Sequence, residues 1–265
     1  MSSGFKTTLK RFVPPIVIDS IGFARAAGRF LHAMPQLRQN RSMKARYLGE
    51  SVYILGNGPS LRDFDLKSIG SVPVITMNHF ELHPNKDSVS IVAHCIGEPY
   101  RGDTWEDPMP MIEGVRAKSY WVNADAIPYF SGRNVPNLHF YLPGVRKTAL
   151  LMQGDNLAAV ALGFQSTAQM AIVLALYLGF KKIYLLGLDH DWLVTRGYSP
   201  HFYEEPDHMA KADLSRFTYT DMIRISLDLF ETYQKIAKIA AKRGARIVNL
   251  SSSSYLDVFP TYDRP

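Results

Sequence analysis

Cysteine occurs once in this 265-residue chain, at Cys95. A single thiol excludes an internal disulfide framework and a cysteine-based zinc site, and it suits a reducing cytoplasm. No apolar run reaches the length needed to span a membrane. The first apolar stretch is broken by Pro14, Pro15 and Asp19 and is followed by no small-residue cleavage site, so a signal peptide is not expected. Internal repeats, low-complexity tracts and the Walker or dinucleotide glycine fingerprints are all missing. Acidic residues are scarce at one end: residues 1–46 hold nine Lys or Arg against Asp19 alone, a net of +8, which leaves −2 for the remainder of a chain whose total is +6. The main body is thus slightly acidic and its basic residues are not interleaved with a recognisable base reader, so no nucleic-acid partner is expected.

What is present divides the chain in two. Residues 1–46 mix Phe5, Leu9, Phe12, Val13, Ile16, Val17 and Ile21 with Lys and Arg at helical spacing, the pattern of an amphipathic helical arm on an anionic membrane. Pro14 and Pro15 would split that arm in two. The alternative is an arm packed on the body or on a second subunit of a homo-oligomer. Residues 47–265, with 46% hydrophobic and 20% charged residues in the chain overall, read as one globular domain. Short β-rich runs fall at 52–55, 73–77, 90–93, 120–122, 183–186 and 246–250. Between them lie a helix over 166–178, apolar nearly all round, and an amphipathic helix over 221–242 ended by Gly244. Alternating strands and helices predict an α/β fold, a Rossmann-like open and mostly parallel sheet with helices on both faces. Residues 192–220 lack a regular pattern and read as a lid segment.

In such sheets ligands bind beyond the carboxyl ends of the strands. The first strand ends in Gly56-Asn57-Gly58-Pro59-Ser60, the second in Asn78-His79 and the fifth in Gly187-Leu188-Asp189-His190-Asp191. Gly56 and Gly58 would let backbone N–H groups approach a phosphate. Ser60, with Asp63 three residues on, is placed to cap a following turn. Folding alone does not call for three polar strand ends of this kind. His94-Cys95 and Asn123 close two further strands on the same rim, and Trp105, Tyr129 and Phe130 are candidates for stacking on a base or sugar.

The blocks Leu55-Gly-Asn-Gly-Pro-Ser-Leu61, Met77-Asn-His-Phe80, Ser166-Thr-Ala-Gln-Met-Ala171 and Leu178-Gly-Phe-Lys-Lys-Ile-Tyr-Leu-Leu-Gly-Leu-Asp189 resemble the bacterial sialyltransferases of glycosyltransferase family 42. They also resemble the related superfamily of 6-hydroxymethylpterin diphosphokinase and Maf proteins, over roughly residues 51–260. The resemblance implies a Rossmann-like transferase domain, a CMP-sialic acid donor, inversion, and no required metal. It implies that Asn57 and Gly58 lie at the phosphate and ribose, Asn78 at the nucleotide or donor sugar, Thr167 (in the place of a Ser) at the donor carboxylate, and Gly187, Leu188 and Asp189 beside the cytidine, with Pro59, Ser60, Ser166 and Asp191 as further nucleotide- or donor-binding candidates. Tyr198 corresponds to a phosphate-binding Tyr after a small insertion. The pattern departs where a second such Tyr falls on Asp191, the family's catalytic His falls near Arg216, and an Arg falls on Phe164.

An inverting transfer needs a base for the acceptor hydroxyl. His201 and His190 are the candidates, with Asp189 beside the latter. The expected activity is a glycosyltransferase of bacterial surface polysaccharide assembly, acting cytoplasmically at the inner membrane face. It would pass a CMP-activated acidic sugar, of sialic acid or Kdo type, to a glycan or lipid-linked acceptor. The alternative is a magnesium-dependent pyrophosphoryl transferase using ATP, in which Asp189 and Asp191 are the metal ligands.

Overall fold

The computed structural model describes residues 15–97, 100–101, 104–105, 107–144, 154–195, 201–203 and 217–261. The arm's first fourteen residues, Tyr198 and most of the expected lid lie outside them. One sheet of eight strands organises the rest, in the order β10-β9-β1-β2-β3-β6-β7-β8. Its strands are β1 Ser51–Leu55, β2 Val74–Met77, β3 Ile91–Ile96, β6 Tyr120–Asn123, β7 Leu138–Pro143, β8 Val160–Ala161, β9 Lys182–Leu186 and β10 Arg246–Asn249. Every pairing in it is parallel. A small antiparallel hairpin, β4 Tyr100–Arg101 with β5 Thr104–Trp105, stands apart from it. The α/β class and parallel sheet agree with the sequence reading; β7 and β8 had no counterpart in it.

The central strands do not alternate in polarity because both faces are covered: β2 and β3 are buried along their whole length. Five helices supply the cover, α1 Pro15–Gln39, α2 Met109–Glu113, α3 Ile127–Phe130, α4 Thr167–Leu178 and α5 Tyr219–Lys242. One face carries α4 and α5. Residues Ala168 to Leu178 of α4 are all buried, which explains a helix apolar all round. Gly179 ends it at φ 97°, its N–H donating to the Ala175 and Leu176 carbonyls. α5 opens on a reciprocal cap between Thr218 and Asp221 and lays Leu229, Tyr233, Ile236 and Ala240 into the same core as α4.

The other face carries α1, α2 and α3. Ala33 and Leu37 of α1 pack with Ile96, Val122, Phe140 and Leu142 from three strands. The helix continues through Pro35 even though Pro removes a backbone donor. The segment after it is fixed by buried Asn40, whose amide donates to the carbonyls of Phe140 and Leu157 at 2.7 Å each. From Ala33 onward, therefore, the basic segment is built into the body. No helix among the described residues is long and apolar enough to cross a membrane.

His94, His190, His83 and His139 are buried to different degrees in this framework. His94 does not face the rim as the sequence suggested. It is fully buried, and its Nδ1 meets the Thr76 hydroxyl at 2.8 Å. Burial holds its pKa down to about 3, with an Asn78 backbone hydrogen bond opposing the shift and His79 adding to it. His190 is lowered to about 4 by burial, and His83 and His139 are lowered for the same first reason. A histidine whose pKa falls on folding binds protons more weakly in the native state than in the unfolded chain. Stability is therefore complete above the ordinary histidine value of 6.5 and is lost progressively as pH falls toward 4 and 3. Thermal melts taken across that window should show a steady drop in Tm; a flat profile would contradict neutral, buried histidines.

Candidate active site at the switch point of the sheet

Strand order reverses at β1. Successive strands run outward from β1 through β2 to β8 on one side, while β9 and β10 lie on the other. Such a reversal opens a crevice beyond the carboxyl ends of the two central strands. Here a cavity of about 700 Å³ occupies that crevice, walled by Gly56, Asn57, Gly58, Asn78, Thr167 and Leu188 among others. Its size suits a nucleotide-sized ligand.

The β1 and β9 ends are locked together. The Gly56 N–H donates to the Leu186 carbonyl and the Gly58 N–H to the Gly187 carbonyl, both at 2.8 Å. A Cβ at Gly56 would run into the Gly187 carbonyl oxygen, and one at Gly58 into the Asp189 carboxylate. Gly187 itself sits at φ 73°. These glycines are thus required by the close approach of two loops. This corrects the expectation of a phosphate cradle there, because both N–H groups are already used. It also corrects Ser60 as a cap: Gly58 precedes a 3-10 turn over Pro59–Leu61 that has no side-chain cap. Instead the Ser60 N–H donates to Asp189 Oδ2 at 2.9 Å and its hydroxyl to Oδ1 at 2.5 Å. Ser251 joins the knot, 2.9 Å from the Ser60 hydroxyl and accepting from the Gly187 N–H at 3.1 Å.

Both oxygens of Asp189 are therefore engaged, and the side chain is 5% exposed. A metal held by Asp189 and Asp191 would therefore have to share the Asp189 oxygens with Ser60. Among the described residues no group of three or more His, Cys, Asp or Glu is arranged to hold a metal ion.

The opposite wall is the start of α4. The Ser166 hydroxyl accepts from the Gln169 N–H at 3.3 Å, which leaves the Thr167 and Ala168 N–H groups without an intrahelical partner at the cavity wall. A helix end of this kind favours a phosphate or carboxylate. Asn78 connects it to the second and third strands: its Oδ1 accepts from the Gly97 N–H at 2.8 Å and its amide donates to Thr167 Oγ1 at 3.3 Å. The backbone of Asn78 is held at φ 46°, ψ −128°, a region nearly reserved for glycine. Strain of about 1–3 kcal/mol persists where surrounding structure demands it, and such residues cluster at functional sites. The Asn57 amide, turned with its NH2 inward, reaches the Met77 and Gly56 carbonyls at 3.3 Å.

Two histidines reach the cavity. His190 stands at φ 53°, and its Nε2 lies 2.9 Å from the hydroxyl of Tyr233. Tyr233 is fully buried; burial pushes its phenol well up, opposed by a hydrogen bond with Ser166. His190, Tyr233 and Ser166 so form a line from the β9 end to the α4 cap. His201 stacks flat on Tyr203, 4.9 Å between centroids, while Arg62 Nη2 donates to its backbone carbonyl at 3.0 Å. The Phe202 N–H donates to the Asn57 carbonyl at 2.9 Å, which places this short segment over the first loop.

The structure brings together Gly56, Asn57, Gly58, Asn78, Ser166, Thr167, Gly187, Leu188, Asp189, His190 and His201. Pro59, Ser60 and Asp191 stand behind or beside the wall, and Tyr198 lies outside the described residues. Asn123 lines the cavity as expected of a rim residue, whereas Phe130 is core and Tyr129 donates its hydroxyl to Asp107 at 2.5 Å. Tyr233 was legible only as one apolar position of α5, and Tyr141 and Trp192 had no signal beyond being aromatic near a strand end.

No protein-family model matches this chain, and no curated protein does. Among solved structures it is similar to the sialyltransferase CstII from Campylobacter jejuni. The complex with cytidine-5'-monophosphate is 16% identical at a TM-score of 0.48, covering 82% of this chain and 86% of that one. The complex with CMP-3FNeuAc is 14% identical at 0.45, covering 81% and 86%. A MAf glycosyltransferase from Magnetospirillum magneticum AMB-1 is 16% identical at 0.49, covering 88% of this chain and 38% of that one. The chemistry of the site is read from its own residues.

The knot is open to a direct check. Asp189→Asn replaces an acceptor of two Ser60 hydrogen bonds, and bonds to a charged group contribute about 1.5–3 kcal/mol each. Urea unfolding should show a loss of about 2–3 kcal/mol. Unchanged stability would mean that the carboxylate does not hold the two loops.

Proposed function

We propose that the chain is an inverting glycosyltransferase of bacterial surface polysaccharide assembly. Its donor is a CMP-activated acidic sugar of sialic acid or Kdo type. Its acceptor is a glycan hydroxyl on a lipid-linked chain, met at the cytoplasmic membrane face through the basic N-terminal segment. The observation that carries this reading is the pairing, across one cavity, of an α4 start with free N–H groups and a histidine oriented by a buried tyrosine. The first suits the donor's phosphate or carboxylate, and the second suits a base. No Lys or Arg lines the cavity among the described residues, and its one carboxylate is engaged. That setting accommodates a phosphate monoester leaving group better than a magnesium–triphosphate.

In the proposed reaction Asn57 and Asn78 hold the nucleotide and donor sugar, with Gly187 and Leu188 beside the cytidine. Ser166, Thr167 and Ala168 at the α4 start receive the anionic groups, and the resemblance assigns Tyr198 to the leaving phosphate. The acceptor oxygen attacks the anomeric carbon while its proton passes to His190. The bond from that carbon to the phosphate oxygen breaks, and CMP leaves with the electron pair. In the tautomer that carries its proton on Nε2 and donates it to the Tyr233 hydroxyl, His190 keeps its Nδ1 lone pair for the proton. A donor anion in the same cavity raises the imidazole's affinity for that proton at the moment of reaction. Asp189 acts as the positioning residue that holds both loops.

CMP release from CMP-sialic acid or CMP-Kdo, followed with glycan acceptors, tests the reading. His190→Asn should lower kcat by about 10²–10⁴ with CMP affinity retained, the usual worth of a general base. Undiminished turnover in that variant, with loss in His201→Asn, would transfer the role to His201. Because the free-enzyme pKa of His190 is about 4, kcat/KM should stay level from neutrality downward and fall only as pH drops through about 4. Asn78→Ala should weaken CMP binding without unfolding the protein; equal affinity would remove Asn78 from the donor site.

A further inference from the structure

A second cavity, of about 480 Å³, lies at the other end of α4. Thr167 at the start of that helix walls the first cavity and Tyr177 walls the second, about 15 Å further along the axis. Its walls are of two kinds. Phe30 and Met34 of α1, with Tyr177, form an apolar side, and Arg38, Arg41 and Lys44 form a basic one. The Tyr177 hydroxyl donates to the Asn40 carbonyl at 2.9 Å, which fixes the floor.

The three cations are exposed, and none is within ion-pair distance of a carboxylate among the described residues. The neighbouring charges are spent elsewhere. Arg29 is bidentate on Asp125 at 3.0 and 2.6 Å. Asp155, adjoining the cavity residues Asn156 and Ala158, is paired with Arg243. Like charges crowded into one short stretch repel and do nothing for the fold. Two of the most exposed large apolar side chains, Leu31 at 63% and Leu48 at 69%, flank the stretch in sequence. An anionic group with an apolar tail would satisfy both walls; a free anion would leave the apolar one bare.

The geometry points to this cavity as a seat for an anionic phospholipid, its phosphate among Arg38, Arg41 and Lys44 and its acyl chain along Phe30 and Met34. This rests on the membrane part of the function proposed above and narrows it to one place. It concerns the α1 side of the molecule, so CMP binding reads the first cavity and lipid binding the second, and either can fail without the other.

The test is sedimentation of the full chain with vesicles of phosphatidylcholine alone or with phosphatidylglycerol added. The wild type should sediment with the phosphatidylglycerol vesicles and stay in solution with phosphatidylcholine. Arg38→Gln, Arg41→Gln and Lys44→Gln combined should weaken that partition about a hundredfold, since each basic side chain at an anionic surface contributes a factor of about five. Ala159→Trp fills the cavity without changing charge and should weaken it severalfold. Retention of wild-type partition in the triple variant would overturn the site. So would loss in the triple variant with none in Ala159→Trp, which would indicate surface charge without a seat. Thermal stabilisation by inorganic phosphate equal to that by phosphatidylglycerol vesicles would overturn the lipid in favour of a soluble phosphate.

Discussion

The carboxylate of Asp189 reinforces the junction of two strand ends that the backbone bonds of Gly56 and Gly58 already bring together. The β1 loop approaches the β9 loop so closely that no side chain fits at Gly56 or Gly58. The buried charge of Asp189 is tolerable there because the Ser60 N–H and hydroxyl both donate to it. Ser251 and Ser254 then tie the chain after β10 to the Gly187 and Leu188 positions. The knot makes one rigid wall out of the first, fifth and last strand ends of the sequence reading, and the cavity is what remains between that wall and α4.

Helix α4 is the second constraint. Its complete burial leaves no surface for polar side chains, so its polarity is concentrated at its ends. At the start are the Ser166 cap, the unpartnered N–H groups and the link through Tyr233 to His190. At the finish, Tyr177 reaches the Asn40 carbonyl and the basic segment after α1. One apolar rod therefore positions both the proposed transfer site and the proposed lipid seat. A lipid-borne acceptor and a nucleotide-borne donor would approach such a protein from different sides of a single core.

Much of this was legible in the residues. The apolar ring of α4, the stripe of α5 and the runs at the central strands follow directly from burial on one side or on all sides. The rim was legible because Asn78, Asn57 and His190 sit where a strand has already ended and a polar group serves no fold. What was hidden has physical reasons. β7 carries His139 and Pro143, and β8 is two residues long, so neither shows a strand's pattern. Gly56 and Gly58 look alike whether they make room for a phosphate or for another loop, and only the position of Gly187 decides it. Ser60 and Asp189 are 129 residues apart, and no local signal joins them. Tyr233 occupies an apolar helix position, and its hydroxyl gains meaning only opposite His190. His94 resembled a rim residue because strand β3 runs three residues further than the 90–93 run suggests.

The central claim is that the cavity takes a cytidine monophosphate without a metal. A thermal-shift comparison of CMP, CDP, UDP, GDP, ADP and ATP, each with magnesium and with EDTA, tests it most directly, because a ligand that binds only the folded state raises Tm by mass action. The account predicts stabilisation by CMP that survives EDTA. Stabilisation by ATP or a nucleoside diphosphate that requires magnesium, with no response to CMP, would contradict it.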